Sequence, residues 1–248
     1  MDLGIEHKRA AVAGASSGLG YASAAALIAA GATVAICGRD HDRIHAAATE
    51  LGPAALPIVA DVGSAEGGRR FVAEATERLG GLDILVPNAG GPPPGNFTTT
   101  DLEAYVPALE LNLLSVVGMC TEAVPHLRAQ GWGRIVAITS LSVRQPIANL
   151  ILSNTARAGV TGFLKSLALE IAADGVTVNS VQPGLHDTDR LRSLYGGDVS
   201  GAGADIPVGV VGRPEDFGAV VAFLCSDAAR FITGAAIPVD GGANRALL

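Results

Sequence analysis

A glycine-rich loop over residues 13–20 is the first segment whose composition suits chemistry. It follows a short apolar run and precedes a helical pattern. Glycine permits positive φ and lets the backbone approach a pyrophosphate, which the amides at a helix N-terminus then bind. The loop predicts a dinucleotide site, although a structural turn has the same composition. Its candidate cofactor contacts are Gly14, Ser16, Ser17, Gly18, Leu19 and Gly20.

The ends of the next two apolar runs carry side chains that would select the nucleotide. Arg39 follows the second run, where an acidic residue would bind a ribose 2′-hydroxyl and an arginine binds a 2′-phosphate. We therefore expect NADP(H) (NADPH in the reduced form), with NAD(H) less favoured. The alternative for Arg39 is a surface ion pair with Asp40 or Asp42. After the third run, Asp61 and Val62 could bracket the adenine, or Asp61 could cap the following helix.

Strand and helix patterns alternate along the chain at a spacing typical of a parallel sheet covered by helices. The predicted strands are Ala10–Ala13, Thr33–Cys37, Leu56–Ala60, Ile84–Val86, Ile135–Thr139, Val176–Val181 and Ala236–Val239. The predicted helices are Leu19–Ala30, His41–Leu51, Ala65–Leu79, Leu102–Ala129, Asn154–Ala173 and Pro214–Cys225. We therefore predict one α/β domain over residues 1–248, a doubly wound parallel sheet in three layers. Ligands of such sheets bind beyond the carboxyl ends of the strands, where the loops above lie.

Composition excludes several classes of protein. The chain has 248 residues, of which 49% are hydrophobic and 17% charged, and its net charge is −7. This balance is that of a globular domain without a basic surface, so neither nucleic acid nor an anionic membrane is an expected partner. Three widely spaced cysteines form no metal-ligand pattern and are typical of a reducing cytoplasm. The first ten residues contain no apolar signal segment, so we expect a cytoplasmic protein without a metal site.

With these motifs in order, the chain resembles the short-chain dehydrogenase/reductase family over essentially its whole length. The family's TGxxxGxG pattern matches residues 13–20, with Ala13 in place of threonine. Its NNAG motif matches 87–90, its PG…T segment matches 183–188, and its C-terminal segment matches 238–242. The resemblance implies a Rossmann-type domain.

The resemblance also implies cofactor contacts beyond the glycine loop. These are Asn88, Ala89, Gly90, Pro183, Gly184 and Thr188. Thr188 would hold the nicotinamide carboxamide, or it could cap a helix that begins near Asp189. Asn88 could instead tie two strands together.

The family's active-site positions are only partly filled. The resemblance implies that Asn112 orders a water, or makes a structural hydrogen bond, and that Ser140 holds the substrate oxygen. The YxxxK pair, expected thirteen residues past the serine, is replaced by Ser153 and Arg157. A serine hydroxyl is a much weaker acid than a phenol, and loss of a positioned general acid typically costs roughly 10²–10⁴-fold in rate.

A replacement proton donor would come from Ser153 through a water or from His186, whose ordinary pKa suits proton transfer. The alternative for His186 is a solvent-facing loop residue. Arg157 would stabilise charge and the cofactor ribose, or bind an anionic substrate group. It could instead form a helix-surface ion pair with Glu170 or Asp187.

Two loops complete the candidate site. The segment 185–212 is rich in glycine and predicts a lid over the substrate, in which Tyr195 could turn inward. Three prolines at 92–94 predict a rigid apolar wall, or a spacer without contacts. Ser142, Asn149 and Asn154 are minor polar candidates.

The sequence therefore predicts an NADP(H)-dependent oxidoreductase with a non-standard proton donor. Its small-molecule or oxoacyl-like substrate would exchange hydride at a carbonyl or alcohol carbon. The missing acid–base pair leaves two alternatives open: a non-redox lyase, isomerase or cyclase, and an inactive NADP-binding regulatory protein. Helices 102–129 and 154–173 resemble the family's subunit-contact helices, so we expect a homotetramer or a dimer.

Overall fold

The predicted strands form one parallel sheet. The computed structural model describes residues 2–194, 196–199 and 201–247. In that part of the chain the strands are β1 (Arg9–Val12), β2 (Thr33–Gly38), β3 (Ala55–Val59), β4 (Ile84–Val86), β5 (Gly133–Ile138), β6 (Val176–Pro183) and β7 (Ala236–Val239). Their order is β3-β2-β1-β4-β5-β6-β7, and every neighbouring pair is parallel. The strand predictions are confirmed to within two residues at each end.

Alternate residues of the central strands point to opposite faces and fill two separate cores. In β1, Ala11 belongs to the cluster that contains Phe71 and Met119, whereas Val12 belongs to the cluster that contains Leu27 and Phe217. Because both faces are buried, these strands are continuous apolar runs.

Helices cover both faces of the sheet and give the predicted three layers. On one face lie α1 (Gly18–Ala29), α2 (His41–Leu51) and α8 (Pro214–Leu224). On the other lie α3 (Ala65–Leu79), α5 (Ser115–Ala129) and α6 (Ile151–Ile171). Two shorter helices are α4 (Tyr105–Leu109), which precedes α5, and α7 (Asp189–Leu194).

The predicted helix over 102–129 is continuous but not uniform. A 3-10 turn at Leu102–Ala104 and α4 lead into a π-helical turn at Glu110–Leu114, and α5 follows directly. By length and composition this helix is apolar enough to cross a membrane. Its inner residues, including Met119, pack against the sheet in a hydrophobic core. The core helix of a folded domain can have the same length and apolar composition as a membrane-spanning helix.

The strand order reverses between β1 and β4, and this point creates a crevice at the carboxyl end of the sheet. The glycine loop leaves β1 there, and Asn88 follows β4. The 185–212 segment begins just after β6 at the same end. Its base is closed by hydrogen bonds from the Asp187 amide to the Gly212 carbonyl, at 2.9 Å, and from the Gly212 amide to the Leu185 carbonyl, at 3.0 Å. Tyr195 lies outside the described residues.

Candidate active site

The glycine loop leaves the first turn of α1 without side-chain caps. Gly14 and Gly18 adopt φ values of +58° and +63°, where a side chain would be strained. A Cβ on Gly20 would collide with the Gly14 carbonyl oxygen. The N-cap residue, Ser17, makes no side-chain bond to the helix, and the first turn has no acidic residue. The amides and the positive end of the helix dipole therefore suit an anion.

Two arginines lie near this loop: Arg39 follows β2, and Arg43 lies in the first turn of α2. Arg39 is exposed and forms no ion pair within the described part of the chain, so the alternative considered for it, a pair with Asp40 or Asp42, is not formed. Asp40 instead caps α2 by accepting a hydrogen bond from the Arg43 amide at 2.9 Å. Arg43, which the sequence analysis missed, donates from Nη2 to Ser17 Oγ at 3.3 Å. The sequence feature that could have indicated Arg43 is its position four residues after Arg39.

The residues that follow β3 keep a carboxylate at the surface. Asp61 is exposed and accepts a hydrogen bond from the Gly63 amide at 2.9 Å, while Val62 is buried. Ser64 caps α3 by accepting from the Gly67 amide at 3.1 Å, so the capping role considered for Asp61 is wrong. Contact between the adenine and Asp61 or Val62 stays a prediction.

Asn88 and Thr188 both make structural hydrogen bonds at the crevice. Asn88 Nδ2 donates to the carbonyl oxygens of Ala13 and Gly14 at 3.2 and 3.1 Å, which ties the end of β4 to the glycine loop. Thr188 Oγ1 accepts from the Leu191 amide at 3.3 Å in the first turn of α7. The structural alternatives for both residues are confirmed, and their contact with the cofactor stays a prediction.

A cavity of about 540 Å³ joins the glycine loop to the ends of β4, β5 and β6. The predicted cofactor contacts that line it are Gly14, Ser17, Gly18, Leu19, Asn88, Ala89, Gly90, Pro183, Gly184 and Thr188. The predicted active-site residues that line it are Ser140, Ser153, Arg157 and His186. The predicted residues outside its lining are Ser16, Gly20, Arg39, Asp61, Val62 and Asn112.

The proline-rich loop forms one wall of this cavity, as predicted. Pro92 and Pro94 line it. The Gly95 amide donates to the Asn149 carbonyl at 2.7 Å, and the Ile151 amide donates to the Gly95 carbonyl at 3.1 Å. These two bonds, called the Gly95 clasp below, fasten the wall to the start of α6.

Two serines line the cavity beyond β5. Ser140 Oγ accepts a hydrogen bond from the Ser142 amide at 3.1 Å. Because that bond uses a lone pair, the Ser140 proton can be donated to a substrate oxygen. Ser153, in the first turn of α6, is 7% exposed, and its hydroxyl makes no hydrogen bond within the described residues. Both hydroxyls can therefore donate into the cavity.

Arg157 is a buried cation one helical turn after Ser153. Its Nη1 donates to the carbonyl oxygens of Ile138 and Thr139, at 3.2 and 3.0 Å, where β5 ends. Burial, followed by the positive charge of Arg190, lowers the pKa of Arg157 to about 10. Arg157 therefore stays protonated at neutral pH and places a positive charge in the cavity wall.

No carboxylate balances Arg157 within the described part of the chain. The alternative considered for Arg157, a surface ion pair with Glu170 or Asp187, is not formed, because Arg157 is buried and Asp187 pairs with Arg192 at 2.7 Å. A buried charge normally has an ionic partner or binds a ligand.

Asn112 lies behind the cavity, in the π-helical turn. Its Nδ2 donates to the Gly90 carbonyl at 2.7 Å, so the structural bond considered for it is confirmed. Its Oδ1 is buried and has no hydrogen-bond partner within the described part of the chain. Buried polar atoms are normally satisfied, so this acceptor suits a water, and π-helical turns are frequent at functional sites.

His186 is not the solvent-facing residue considered above. It is 5% exposed, its ring packs edge-on against Phe217 at 5.3 Å between centroids, and its Nδ1 lies 3.2 Å from the Gly184 carbonyl. Burial is the largest influence on the His186 pKa and lowers it below the ordinary 6.5. The ring is therefore neutral at pH 7 and has one nitrogen engaged by backbone.

Arg190 is a cavity residue that the sequence analysis missed. It is an exposed residue of α7, and its guanidinium lies against Gly91 in the loop that follows β4. The side chain thus crosses the crevice from the 185–212 segment to the proline-rich loop. Its position two residues after Thr188 was the only signal in the sequence.

The remaining candidate residues lie away from the cavity lining or are unreactive. Ser142, Asn149 and Asn154 do not line the cavity, and Asn154 Nδ2 donates to the Ile147 carbonyl at 3.0 Å. Burial raises the pKa of Cys37, Cys120 and Cys225 to about 12, so these thiols are unreactive. Among residues 2–194, 196–199 and 201–247, no group of three or more His, Cys, Asp or Glu side chains is placed to hold a metal.

Comparison with known proteins gives consistent results. The profile of the enoyl-(acyl carrier protein) reductase family matches residues 14–244. The cis-4-hydroxycyclohexanecarboxylate dehydrogenase of Sinomonas cyclohexanicum is 35% identical over 236 residues, which are 94% of this chain and 95% of that protein.

Two solved structures are similar over almost their full length. The L-sorbose reductase of Gluconobacter frateurii, complexed with NADPH and L-sorbose, has a TM-score of 0.91 at 33% identity, with 100% of both chains covered. An NADPH-bound short-chain oxidoreductase from Pseudomonas aeruginosa PAO1, described as containing an atypical catalytic centre, has a TM-score of 0.90 at 33% identity, covering 97% of this chain and 99% of that one. With the sheet order, the glycine loop and these matches together, the chain belongs to the short-chain dehydrogenase/reductase family of oxidoreductases.

Proposed function

We propose that the chain is an NADP(H)-dependent oxidoreductase that acts on the carbonyl or alcohol carbon of a small molecule and uses a non-standard proton donor. The observation that carries this proposal is the single cavity that joins the glycine loop to Ser140, Ser153 and Arg157. The cofactor in the two solved structures, and the unpaired Arg39, support NADP(H) over NAD(H).

The residues present fit this cofactor. The uncapped first turn of α1 would hold the diphosphate, and Arg39, with Arg43 one turn away, would hold the 2′-phosphate. Thr188 and Gly90, which line the cavity, would contact the nicotinamide end. When bound, NADP(H) supplies or accepts the hydride.

Three side chains would act on the substrate oxygen. Ser153 and Arg157 occupy the places of the family's tyrosine and lysine. Ser140 donates a hydrogen bond to the substrate oxygen, and Arg157 stabilises the negative charge that develops there. Arg157 can also hold the ribose through one of the donors that its bonds to β5 leave available.

The proton would reach the substrate oxygen from a water held beside Ser153. Serine is shorter than tyrosine by a ring, which leaves room for that water. The unpartnered Asn112 Oδ1 offers a fixed acceptor for a second water behind it. His186 is the poorer donor, because burial keeps its ring neutral and Gly184 engages Nδ1.

Purified protein can test this proposal directly. We expect NADPH fluorescence titration to show binding tighter than that of NADH. We also expect slow NADPH oxidation with at least one member of a panel of ketones, quinones and oxoacyl thioesters that includes L-sorbose and 4-oxocyclohexanecarboxylate. Ser140→Ala should lower the rate without changing NADPH affinity. NADPH binding with no oxidation across the panel would contradict the proposal.

The alternative activities predict other outcomes. A lyase, isomerase or cyclase would form product without consuming NADPH, with Arg157 and Ser140 stabilising an oxyanion. A regulatory protein would bind NADPH and turn nothing over. The oxidation assay separates both from the proposed reductase.

We also propose that the chain works as a cytoplasmic homotetramer or dimer. Large apolar side chains are exposed on the helices expected to make subunit contacts: Leu102 is 79% exposed, Val106 66% and Leu169 73%. Exposed apolar residues clustered on such helices favour an interface. Light scattering at micromolar concentration should show an oligomer, and a monomer would contradict the expectation.

A further inference from the structure

The charge of the cavity wall is not balanced. Its ionisable lining residues are His186, Asp189, Arg157 and Arg190. His186 is neutral at pH 7, for the reason given above. Asp189 is exposed, and no ion pair joins it to either arginine within the described residues. The guanidinium groups of Arg157 and Arg190 therefore make the charge of the cavity wall positive.

These two arginines hold complementary positions. Arg157 is fixed at the back of the cavity by its bonds to the end of β5, and only Nη1 is used by them. Its Nε and Nη2 have no acceptor within the described residues. Arg190 approaches from the mouth, where its guanidinium lies against Gly91. An arginine offers a planar set of donors that matches a carboxylate.

Two neighbouring cations that form no ion pair within the described residues are a costly arrangement unless an anion joins them. Burial of Arg157 in the absence of a carboxylate disfavours its charged form, and the nearby charge of Arg190 adds repulsion. A bound carboxylate would relieve both effects. It would also leave the substrate's carbonyl carbon on the Ser140 side of the same cavity.

We propose that the substrate is a carbonyl compound or alcohol that also carries a carboxylate, and that Arg157 and Arg190 bind this carboxylate. The inference rests on the proposed oxidoreductase function and names the substrate class for that site. The cofactor diphosphate is a less suitable occupant of the pair. The uncapped start of α1 already provides a diphosphate site, whereas Arg157 lies with Ser140 and Ser153 at the end of β5.

Phenylglyoxylate and its methyl ester provide matched probes, because they differ chiefly in the charge of the carboxylate. Binding to the protein–NADPH complex can be followed by the immediate change in NADPH fluorescence on mixing, before the slower oxidation consumes NADPH. We expect the acid to bind roughly 10- to 100-fold more tightly than the ester, since hydrogen bonds to charged groups contribute that much. The preference should weaken as salt is raised, because Arg190 is exposed.

Variants separate the two arginines from the rest of the site. Arg190→Met and Arg157→Met should each remove most of the preference for the acid, and Arg157→Lys should retain part of it. Because Arg190 is exposed, its variant should fold even if Arg157→Met does not. Arg192→Met is the matched control on the same helix, since that side chain pairs with Asp187 outside this cavity, and it should keep the preference.

The outcomes distinguish this inference from the proposed function. Equal binding of acid and ester, or binding of neither in the millimolar range, would overturn the inference while NADPH oxidation still supports the reductase. Loss of NADPH affinity in Arg190→Met and Arg157→Met, with acid preference unchanged, would instead assign the pair to the cofactor diphosphate and overturn it. Absence of NADPH binding to the unaltered protein would remove the proposed function itself.

Discussion

A buried arginine lies at each end of strand β5, and the two differ in what surrounds them. Arg134, near the amino end, is 2% exposed, pairs with Asp227 at 3.3 Å and lies 4.2 Å above the Trp132 ring. Arg157, at the carboxyl end, has two carbonyl partners, no carboxylate and a second cation nearby. Both cost free energy to bury, but only the first is compensated inside the protein. We therefore expect Arg134 to contribute to stability and Arg157 to ligand binding.

Arg157→Met provides the largest test of this contrast. We expect kcat/KM to fall by roughly 10²–10³-fold, because the charge that stabilises the substrate oxygen is lost. The melting temperature should stay close to that of the unaltered protein, because a buried cation without a counterion is removed. Arg157→Lys should recover part of the rate. A large loss of stability with unchanged kcat/KM would reverse the assignment of the two arginines.

Arg39→Gln extends the contrast to an exposed arginine that also lacks an acidic partner. We expect the affinity for NADPH to fall roughly 10- to 100-fold, because a charge-assisted contact with the 2′-phosphate is lost. The affinity for NADH should hardly change. Fluorescence titration with both cofactors measures the preference, and an equal effect on NADH would remove Arg39 from the 2′-phosphate site.

Arg134→Met should affect folding and not the cofactor. The variant loses the Asp227 pair and the bond from Nε to the Ser226 carbonyl, so we expect the free energy of unfolding to fall by about 1–2 kcal/mol. Because Asp227 is half exposed, the loss should stay at this modest level. Urea unfolding gives the value, and an NADPH titration run alongside should match the unaltered protein. A variant that folds normally and loses activity would break the comparison.

The His186→Asn variant should have the smallest effect, which is a change in how the stability of the protein depends on pH. Burial holds the pKa of His186 below 6.5, so the folded state favours the neutral ring. The unfolded state therefore binds the proton more readily, and stability is lost as the pH falls below about 6.5. The variant should lose less stability than the unaltered protein between pH 7 and pH 5, which thermal unfolding at both pH values measures. A turnover loss as large as that of Arg157→Met would restore His186 as the proton donor.

The periodic apolar patterns predicted the strands and helices, but they did not predict contacts between side chains far apart in the sequence. The strands and the main helices follow from apolar runs that the sheet buries on both faces, as in β1 and β5. Arg190 was missed because its contact with Gly91 joins segments almost a hundred residues apart, which local patterns do not encode. The burial of His186 likewise depends on Phe217 in α8. The π-helical turn at Asn112 was hidden because its composition is that of an ordinary helix.

The Gly95 clasp has a consequence for how this site can change during evolution. It joins the proline wall to the helix that carries Ser153 and Arg157, so these parts of the cleft are held in a fixed position relative to one another. The 185–212 segment is closed at its own base through Gly212, and the Arg190 side chain brings it against the wall at Gly91. We therefore expect changes in that segment that keep Thr188 to alter substrate selectivity while Ser140, Ser153 and Arg157 keep their alignment. The segment would then contribute to recognition through Arg190, and the clasped part of the cleft would hold the reacting groups.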